Sequence, residues 1–269
     1  MTAPLKHLSK QYQEAIPTTV IMGAKGSGKT FLYRKFVEAK NWNTFFNAMG
    51  EKTSYVNKQD AMFVPVLATR NAQNMIDDLN SCIDVVNSSI RGMKIKKGVY
   101  LENGERIKTR GNIRNLKDYW ERLLVSSLGM DGTKLTQIDK QLVDQGKRII
   151  YLIDGLEEYL PEVAKSIGEK EAIQTLCQDI VAKIKSECSN IGIIVFLRRD
   201  LAQNAITVNY TQFTKVYERT ELKWSSNEAL RLAVWLVSQA DESFYKEEVG
   251  VDQASDEIIG EYLIQLWGL

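Results

Sequence analysis

Short apolar runs alternate along the chain with longer stretches in which apolar residues recur every three or four positions. The short runs are typical of buried strands, and the longer pattern is typical of helices that cover a sheet. Strands are predicted at 18–22, 62–67, 148–153, 193–197 and 216–222. Helices are predicted at 28–39, 71–90, 113–128, 134–145, 171–188, 227–240 and 255–267. This alternation predicts an α/β fold with helical layers around a mainly parallel sheet.

One segment breaks this pattern and is strongly basic. Residues 91–114 contain two strand-like pieces around Asn103-Gly104, a dipeptide that favours a type I′ hairpin turn because both central residues need positive φ. We therefore predict an inserted β-hairpin. Its charges could contact nucleic acid, another subunit or an acidic partner, or could simply keep the hairpin soluble. The basic residues are Arg91, Lys94, Lys96, Lys97, Arg106, Lys108, Arg110 and Arg114.

Composition excludes several classes of function. The 269 residues include 35 lysines and arginines against 34 acids, and a net charge of +1 does not suit a protein that coats nucleic acid or an anionic membrane. Three cysteines without CxxC spacing and a single histidine, His7, exclude the common zinc frameworks and histidine-dependent triads. No stretch reaches the roughly 18 apolar residues of a membrane span, and the polar N-terminus lacks a signal-peptide core. We expect a cytoplasmic protein without a membrane partner.

The strongest chemical signal is the segment GAKGSGKT at 23–30, between a predicted strand and a predicted helix. It matches the phosphate loop GxxxxGK[ST], in which glycines let backbone N–H groups approach phosphate oxygens. Lys29 is expected to bridge the β- and γ-phosphates, and the Thr30 hydroxyl to ligate Mg²⁺. Lys25 either contacts phosphate or is solvated. The expected nucleotide-binding residues are Gly23, Ala24, Lys25, Gly26, Ser27, Gly28, Lys29, Thr30 and Phe31.

A second signal is the apolar strand that ends in the sequence DGLEE at 154–158. Because the carboxyl ends of parallel strands meet at one edge of a sheet, Asp154 is expected beside the phosphate loop, within reach of Mg²⁺. Glu157 and Glu158 are candidates for holding the attacking water. Many ATPases place the catalytic glutamate directly after the aspartate, but Gly155 occupies that position here. The acid must therefore come from further along the turn.

A third signal is the strand at 193–197, which runs directly into Arg198, Arg199 and Asp200. An arginine at this edge of the sheet can sense the γ-phosphate and transmit its presence to a neighbouring domain. Arg198 could equally open the next helix, with Asp200 as the N-cap of that helix. Arg199 is the candidate we favour, because of the resemblance that follows.

Together the three motifs resemble those of STAND-type P-loop ATPases, the signal-transduction ATPases that include the NACHT and NB-ARC families. LIDGLEE at 152–158 is similar to the apolar strand and Asp-Gly-Leu-Asp-Glu of NACHT proteins. FLRRD at 196–200 is similar to the Thr-Thr-Arg-Asp of NB-ARC proteins, with Arg199 and Asp200 on its last two positions. The resemblance covers about residues 17–240 apart from the hairpin, and 217–232 look like the strand and helix that lead towards the lid.

The resemblance implies a three-layer ASCE-type P-loop NTPase that binds ATP with Mg²⁺ and hydrolyses it slowly. Such proteins are switches, often in antiviral defence, that oligomerise when a sensor detects a trigger and then activate an effector. We expect the core at 1–224, the start of a helical lid at 225–269, and a natural protein that continues beyond Leu269. The expected metal ligands are Thr30 and Asp154. The expected catalytic residues are Lys29, Asp154, Glu157, Glu158 and Arg199.

Two other classes of function remain open. A DNA-acting ATPase, such as a loader or translocase, would place the basic hairpin on the duplex and would show DNA-stimulated, salt-dependent hydrolysis. A nucleotide-holding scaffold would bind ATP without turnover and would be unaffected by replacing both Glu157 and Glu158 with glutamine. A small-molecule kinase fits least, because the DGLEE segment favours water as the nucleophile.

Overall fold

The computed structural model describes residues 3–49, 60–70, 72–111, 113–241, 243–251 and 253–268. In these ranges four strands form one all-parallel sheet, and each strand is an almost wholly buried apolar run. The strands are β1 Thr18–Gly23, β2 Met62–Leu67, β3 Ile149–Ile153 and β4 Ile191–Arg198. They lie in the order β1-β4-β3-β2. Four of the five predicted strands are thereby confirmed, as is the α/β class.

Helices connect the strands. Three of them occupy the segments up to β2 and the next four lie between β2 and β3: α1 Ala3–Gln11, α2 Lys29–Ala39, α3 Trp42–Ala48, α4 Ile76–Ser89, α5 Val99–Lys108, α6 Leu116–Ser127 and α7 Leu135–Asp144. The others are α8 Leu156–Tyr159, α9 Ile167–Gln174, α10 Val181–Glu187, α11 Arg199–Ala205, α12 Tyr210–Tyr217, α13 Ser226–Ala240 and α14 Asp256–Trp267. A π-helical turn, Thr175–Ile180, joins α9 to α10, and 3-10 turns occupy Ala72–Met75 and Glu218–Thr220.

Every predicted helix corresponds to an observed one. The helix predicted from Asn71 begins at a residue outside the described ranges, and its described part is a 3-10 turn followed by α4. The single helix predicted at 171–188 is the continuous run of α9, the π-helical turn and α10. The short helices α1, α3, α8 and α11 were not predicted, because four to nine residues carry too little periodicity to identify a helix.

Helices pack on both faces of the sheet. On one face, the ring of Phe196 in β4 lies 5.8 Å from that of Tyr33 and 6.1 Å from that of Phe36, both in α2. Tyr151 of β3 pairs in register with Ile193, three residues before Phe196, and therefore points to the other face. There it is close to Cys188, which follows α10. This arrangement is compatible with a three-layer α/β fold.

The predicted β-hairpin at 91–114 is wrong, because residues 99–108 form helix α5. Asn103 is fully buried, and its side-chain amide donates hydrogen bonds to Val66 O and Ser127 Oγ, both at 2.8 Å. Gly104 packs against Tyr159, since a Cβ atom at this position would lie 2.2 Å from the tyrosine ring. The dipeptide therefore permits close packing of a helix, and long-range contacts override its local preference for a turn.

The predicted strand at 216–222 is also wrong. Its first residues belong to α12, in which Phe213 and Tyr217 stack four positions apart with ring centroids 5.0 Å apart, a helical spacing. The chain does reach the sheet at Leu222, whose N–H donates to Met22 O at 2.7 Å and which forms a single parallel bridge with Gly23. β1 therefore has β4 on one side and this bridge on the other.

Replacing Gly104 with alanine is expected to destabilise the protein by about 1 to 3 kcal/mol, because the added methyl group overpacks α5 against Tyr159. The matched control is Gly168→Ala in α9, where no described atom lies within 4 Å of the Cβ position. Replacing this glycine in the first turn of α9 is expected to change stability by less than about 1 kcal/mol, in the favourable direction. Urea unfolding measures both, and equal stability of the two variants would contradict the packing of α5.

The chain divides into two compact units, Met1–Leu222 and Lys223–Leu269. The second unit consists of α13 and α14 around a small core of its own. Arg231 of α13 donates hydrogen bonds to the carbonyl oxygens of Val251 at 3.0 Å and Ala254 at 2.7 Å. Leu269, to which the apolar pattern of the sequence extends, lies outside the described residues. No helix in the described part of the chain combines the length and the apolar character that crossing a membrane requires.

Candidate functional site

Residues 23–30 connect β1 to α2 and wrap around the side chain of Lys29. The lysine is 7% exposed, and its ammonium donates hydrogen bonds to the carbonyl oxygens of Gly23 at 3.0 Å and Ala24 at 2.7 Å. A longer contact of 3.4 Å joins it to Ser27 Oγ. Gly28, with φ of +92°, is the N-cap of α2 and offers no side chain to the first N–H groups of that helix. Such N–H groups at a helix N-terminus favour an anion.

Most of the other predicted nucleotide-binding residues are exposed, either on the loop or at the start of α2. Ser27 is buried, whereas Phe31 is 65% exposed, with Lys35 Nζ 5.5 Å from the centroid of its ring. The loop therefore combines backbone donors with an exposed aromatic ring. The exposed members of the predicted set are Ala24, Lys25, Gly26, Thr30 and Phe31.

Three strand ends meet beside this loop because the sheet is parallel. Gly23, which ends β1, pairs in register with Arg198, which ends β4. Asp154 directly follows β3, and its N–H donates to Leu67 O at the end of β2 at 3.1 Å. The structure therefore brings the loop at 23–30, Asp154 and Arg198 to one edge of the sheet, as the sequence predicts for the first two.

The ammonium of Lys29 lies among several charges. Its pKa is lowered, with burial as the largest cause, while Glu157 and then Asp154 act in the opposite direction and raise it. Arg198 lowers the pKa further. The two carboxylates therefore do not fully compensate the buried positive charge, and an anion bound here would stabilise it.

Asp154 is almost completely buried, and burial raises the pKa of its carboxyl from 3.8 to about 6. A hydrogen bond with the Thr30 side chain acts in the opposite direction, and the charge of Glu157 raises the pKa further. Asp154 Oδ2 has no hydrogen-bond partner among the described residues. A buried carboxylate oxygen without a partner costs folding free energy and is typical of a group kept for a ligand.

Asp154 and Thr30 fit what a magnesium site requires from the protein. Mg²⁺ takes oxygen ligands and is usually bound by one or two side chains together with phosphate oxygens and water. The described part of the chain contains no group of three or more His, Cys, Asp or Glu side chains that could hold a metal by themselves. A cation at this site would therefore depend on the phosphates of a bound nucleotide.

The two glutamates after Asp154 point to different partners. Glu157 is half-buried, and its charge acts on Lys29, Asp154 and Arg198. Glu158 Oε2 instead accepts a hydrogen bond of 2.5 Å from the N–H of Arg70, just beyond the end of β2. The charge of Glu157 therefore acts on the loop at 23–30, whereas Glu158 is held on the side of β2.

Gly155 explains why the acid is not directly after Asp154. Its φ is +80°, and a Cβ atom at this position would lie 2.9 Å from Thr69 Cα and 3.0 Å from Thr69 N. Because these are backbone atoms, the neighbouring segment cannot yield as a flexible side chain would. A glutamate therefore does not fit at position 155, and Glu157 is the first acid after Asp154 along the chain.

The two arginines after β4 also separate. Arg198 donates to Asp200 from Nε to Oδ1 at 3.0 Å and from Nη2 to Oδ2 at 2.6 Å, while its charge acts on Lys29. Arg199 pairs with the buried Glu221, with Nη1 3.2 Å from Oε1. Arg198, which pairs in register with Gly23, therefore acts on the loop at 23–30, whereas the guanidinium of Arg199 is held by Glu221. Arg198 is itself the N-cap of α11, and Asp200 lies in the first turn.

Sequence reasoning missed Arg70 and Tyr159. The guanidinium carbon of Arg70 lies 5.1 Å from the centroid of the Tyr159 ring, and its Nη2 lies 3.0 Å from Glu105 Oε1. The Tyr159 hydroxyl donates to Ala68 O at 3.1 Å. The rule applied to the end of β3 would have found Arg70, because it follows β2 at the same sheet edge. Tyr159 carries no such signal.

In comparisons with protein-family models, curated proteins and solved structures, this chain has no significant match. Its function therefore has to be inferred from the side chains at this edge of the sheet.

Proposed function

We propose that this chain is a Mg²⁺-dependent, ATP-binding and slowly ATP-hydrolysing switch with a P-loop NTPase fold. The observation that carries the proposal is the position of Lys29. Its buried ammonium lies inside the loop beside Asp154, whose Oδ2 has no partner among the described residues. A positive charge, uncapped helix N–H groups and an oxygen ligand for a cation together suit the polyphosphate of a nucleotide.

The strand order supports the ASCE type of this fold. β4 lies between β1, which leads into the phosphate loop, and β3, which leads into Asp154. A residue at the end of β4 can therefore act on a ligand that both neighbours hold. Arg198 occupies this position, opposite Gly23 in register.

Each group at the site has a role in this proposal. Lys29 and the N-terminus of α2 bind the β- and γ-phosphates, and Thr30 and Asp154 would hold Mg²⁺. When bound, the cation would neutralise the charge that develops on the transferred phosphoryl group. Glu157, the acid directed at Lys29, orients the attacking water and accepts its proton.

The switch follows from the pairing of Arg198 with Asp200. A γ-phosphate beside Arg198 competes with Asp200 for the guanidinium, so nucleotide state alters the start of α11. The resemblance to NACHT and NB-ARC proteins supports a downstream step of self-association or effector activation.

Glu157→Gln is expected to lower ATP turnover at least about a hundredfold with ATP binding retained, because it removes the group that accepts the proton of water. Glu158→Gln is the matched control. It is expected to lower turnover by less than about tenfold, because its carboxylate is held by the Arg70 N–H on the side of β2. Phosphate release measures turnover and titration calorimetry measures binding. An equal loss in both variants, or a larger loss in Glu158→Gln, would reverse the assignment of the two glutamates.

The same assay separates the other classes of function. The DNA-acting alternative depends on a basic hairpin, but this segment forms α5 instead. Two lysines just before α5 also pair with acids, Lys96 with Glu102 and Lys97 with Asp84. Strong, salt-sensitive stimulation of turnover by duplex DNA would nevertheless favour that class over the switch. ATP binding without turnover in the wild-type protein would favour a nucleotide-holding scaffold.

A further inference from the structure

Arg70 joins three segments that are distant in the sequence. Its backbone N–H donates to Glu158 Oε2 at 2.5 Å, and its guanidinium lies over the Tyr159 ring, 5.1 Å from the centroid. The same guanidinium pairs with Glu105 of α5, with Nη2 3.0 Å from Oε1. One residue at the end of β2 therefore contacts both the turn that carries Glu157 and the helix that lies against it.

α5 also contacts the segments that Arg70 joins. Gly104 lies directly against the Tyr159 ring, and Asn103 donates to Val66 O in β2 at 2.8 Å. The Tyr159 hydroxyl reaches Ala68 O, two residues before Arg70. Consecutive residues of α5 thus contact β2, Tyr159 and Arg70 in turn, which fixes the far end of the turn that begins at Asp154.

We propose that the guanidinium of Arg70 has a positioning role, in which it holds residues 155–159 and with them Glu157. The effect of Arg70 on turnover rests on the proposed function. Its effect on the order of the turn does not, because that order does not depend on any ligand. The ion pair of Arg70 with Glu105 is substantially exposed, with side chains 43% and 59% accessible. Exposed pairs contribute little to global stability, so the effect of Arg70 is local.

The first measurement is hydrogen exchange of residues 155–160 without nucleotide. Two amides in this segment are hydrogen-bonded, Glu158 N–H to Gly155 O at 3.0 Å and Leu160 N–H to Leu156 O at 2.9 Å. Arg70→Ala keeps the backbone N–H that donates to Glu158 and removes only the guanidinium from Tyr159 and Glu105. It is expected to raise the exchange of these amides about tenfold while global unfolding stays close to that of the wild type. The matched control is Arg122→Ala, which removes an exposed arginine that pairs with Asp118 on α6. Its exchange in 155–160 is expected to be that of the wild type.

The second measurement is turnover against ATP affinity. Arg70→Ala is expected to lower kcat about tenfold with little change in ATP affinity, because a misplaced base slows the chemical step without affecting the phosphate loop. Arg70→Lys is expected to recover most of both losses, since it keeps a cation over Tyr159 and near Glu105. Arg70→Gln is expected to recover neither.

Unchanged exchange in Arg70→Ala, or an equal rise in Arg122→Ala, would overturn the proposal. A raised exchange with unaltered kcat, in a wild-type protein that turns over ATP, would also overturn it. If the wild type does not turn over ATP, the proposed function fails, and the exchange result alone still decides whether Arg70 orders this turn.

Discussion

Replacing Lys29 with alanine is expected to lower ATP affinity at least about a hundredfold, which corresponds to about 3 kcal/mol, and to abolish turnover. The ammonium is buried, and its pKa is lowered, with burial as the largest cause, although Glu157 and Asp154 act in the opposite direction. A polyphosphate that binds here therefore interacts strongly with a positive charge that the protein compensates only in part. Titration calorimetry with ATP and Mg²⁺ measures the affinity, and light scattering measures any assembly that depends on ATP.

The matched control for this experiment is Lys35→Ala. Lys35 lies on the same helix, is exposed and pairs with Glu38 at 2.6 Å. Its removal is expected to change ATP affinity by less than about threefold, because exposed ion pairs contribute little free energy. If Lys29→Ala binds ATP as tightly as Lys35→Ala, the loop does not bind the nucleotide, and the proposed function is wrong.

Asp154→Asn is expected to lower Mg²⁺-dependent turnover at least about a hundredfold, because an amide is a weaker ligand for this hard cation than a carboxylate. It is also expected to stabilise the protein when Mg²⁺ and nucleotide are absent. Burial raises the pKa of Asp154 from 3.8 to about 6. Such a shift of about two units corresponds to roughly 3 kcal/mol as an upper bound, and asparagine avoids this cost.

The sign of the pH dependence follows from proton binding. Between pH 3.8 and about pH 6 the unfolded carboxyl is ionised, whereas the folded one keeps its proton. The folded state then binds more protons, so the contribution of Asp154 to stability falls as pH rises through this window and stays low above it. The advantage of Asp154→Asn should therefore be full at pH 8 and smaller at pH 5.

Urea unfolding in the presence of a metal chelator, at pH 8 and pH 5, measures this difference. The matched control is Asp131→Asn, an exposed residue of the loop between α6 and α7, which should leave stability close to that of the wild type at both pH values. An Asp154→Asn variant less stable than the wild type at pH 8 would show that the folded protein does not strain this carboxylate.

The parts of the site that the sequence predicted depend on local geometry. The segment 23–30 needs only a strand before it and a helix after it, and both are determined by adjacent residues. Asp154 follows a buried strand, and parallel pairing then brings it to the loop. In each case a short stretch of chain contains the information on which the prediction rests.

The errors arise where distant residues decide the outcome. Asn103-Gly104 has a strong local preference for a hairpin turn, yet Tyr159, 55 residues further on, packs against the glycine and favours a helix. The preference for Arg199 over Arg198 stays a prediction, but strand register and Glu221 separate the two arginines, and no pattern within the motif reveals either. The contacts of Arg70 with Glu158 and Tyr159 likewise cannot be predicted without the strand order.

The close approach of Gly155 to Thr69 limits which substitutions this site accepts. A glutamate directly after Asp154 would require the backbone of 68–70 to shift away, because a Cβ atom at 155 would lie 2.9 Å from Thr69 Cα. That shift would break the hydrogen bond from the Tyr159 hydroxyl to Ala68 O. No single substitution at position 155 therefore gives the arrangement common in ATPases, in which the glutamate directly follows the aspartate.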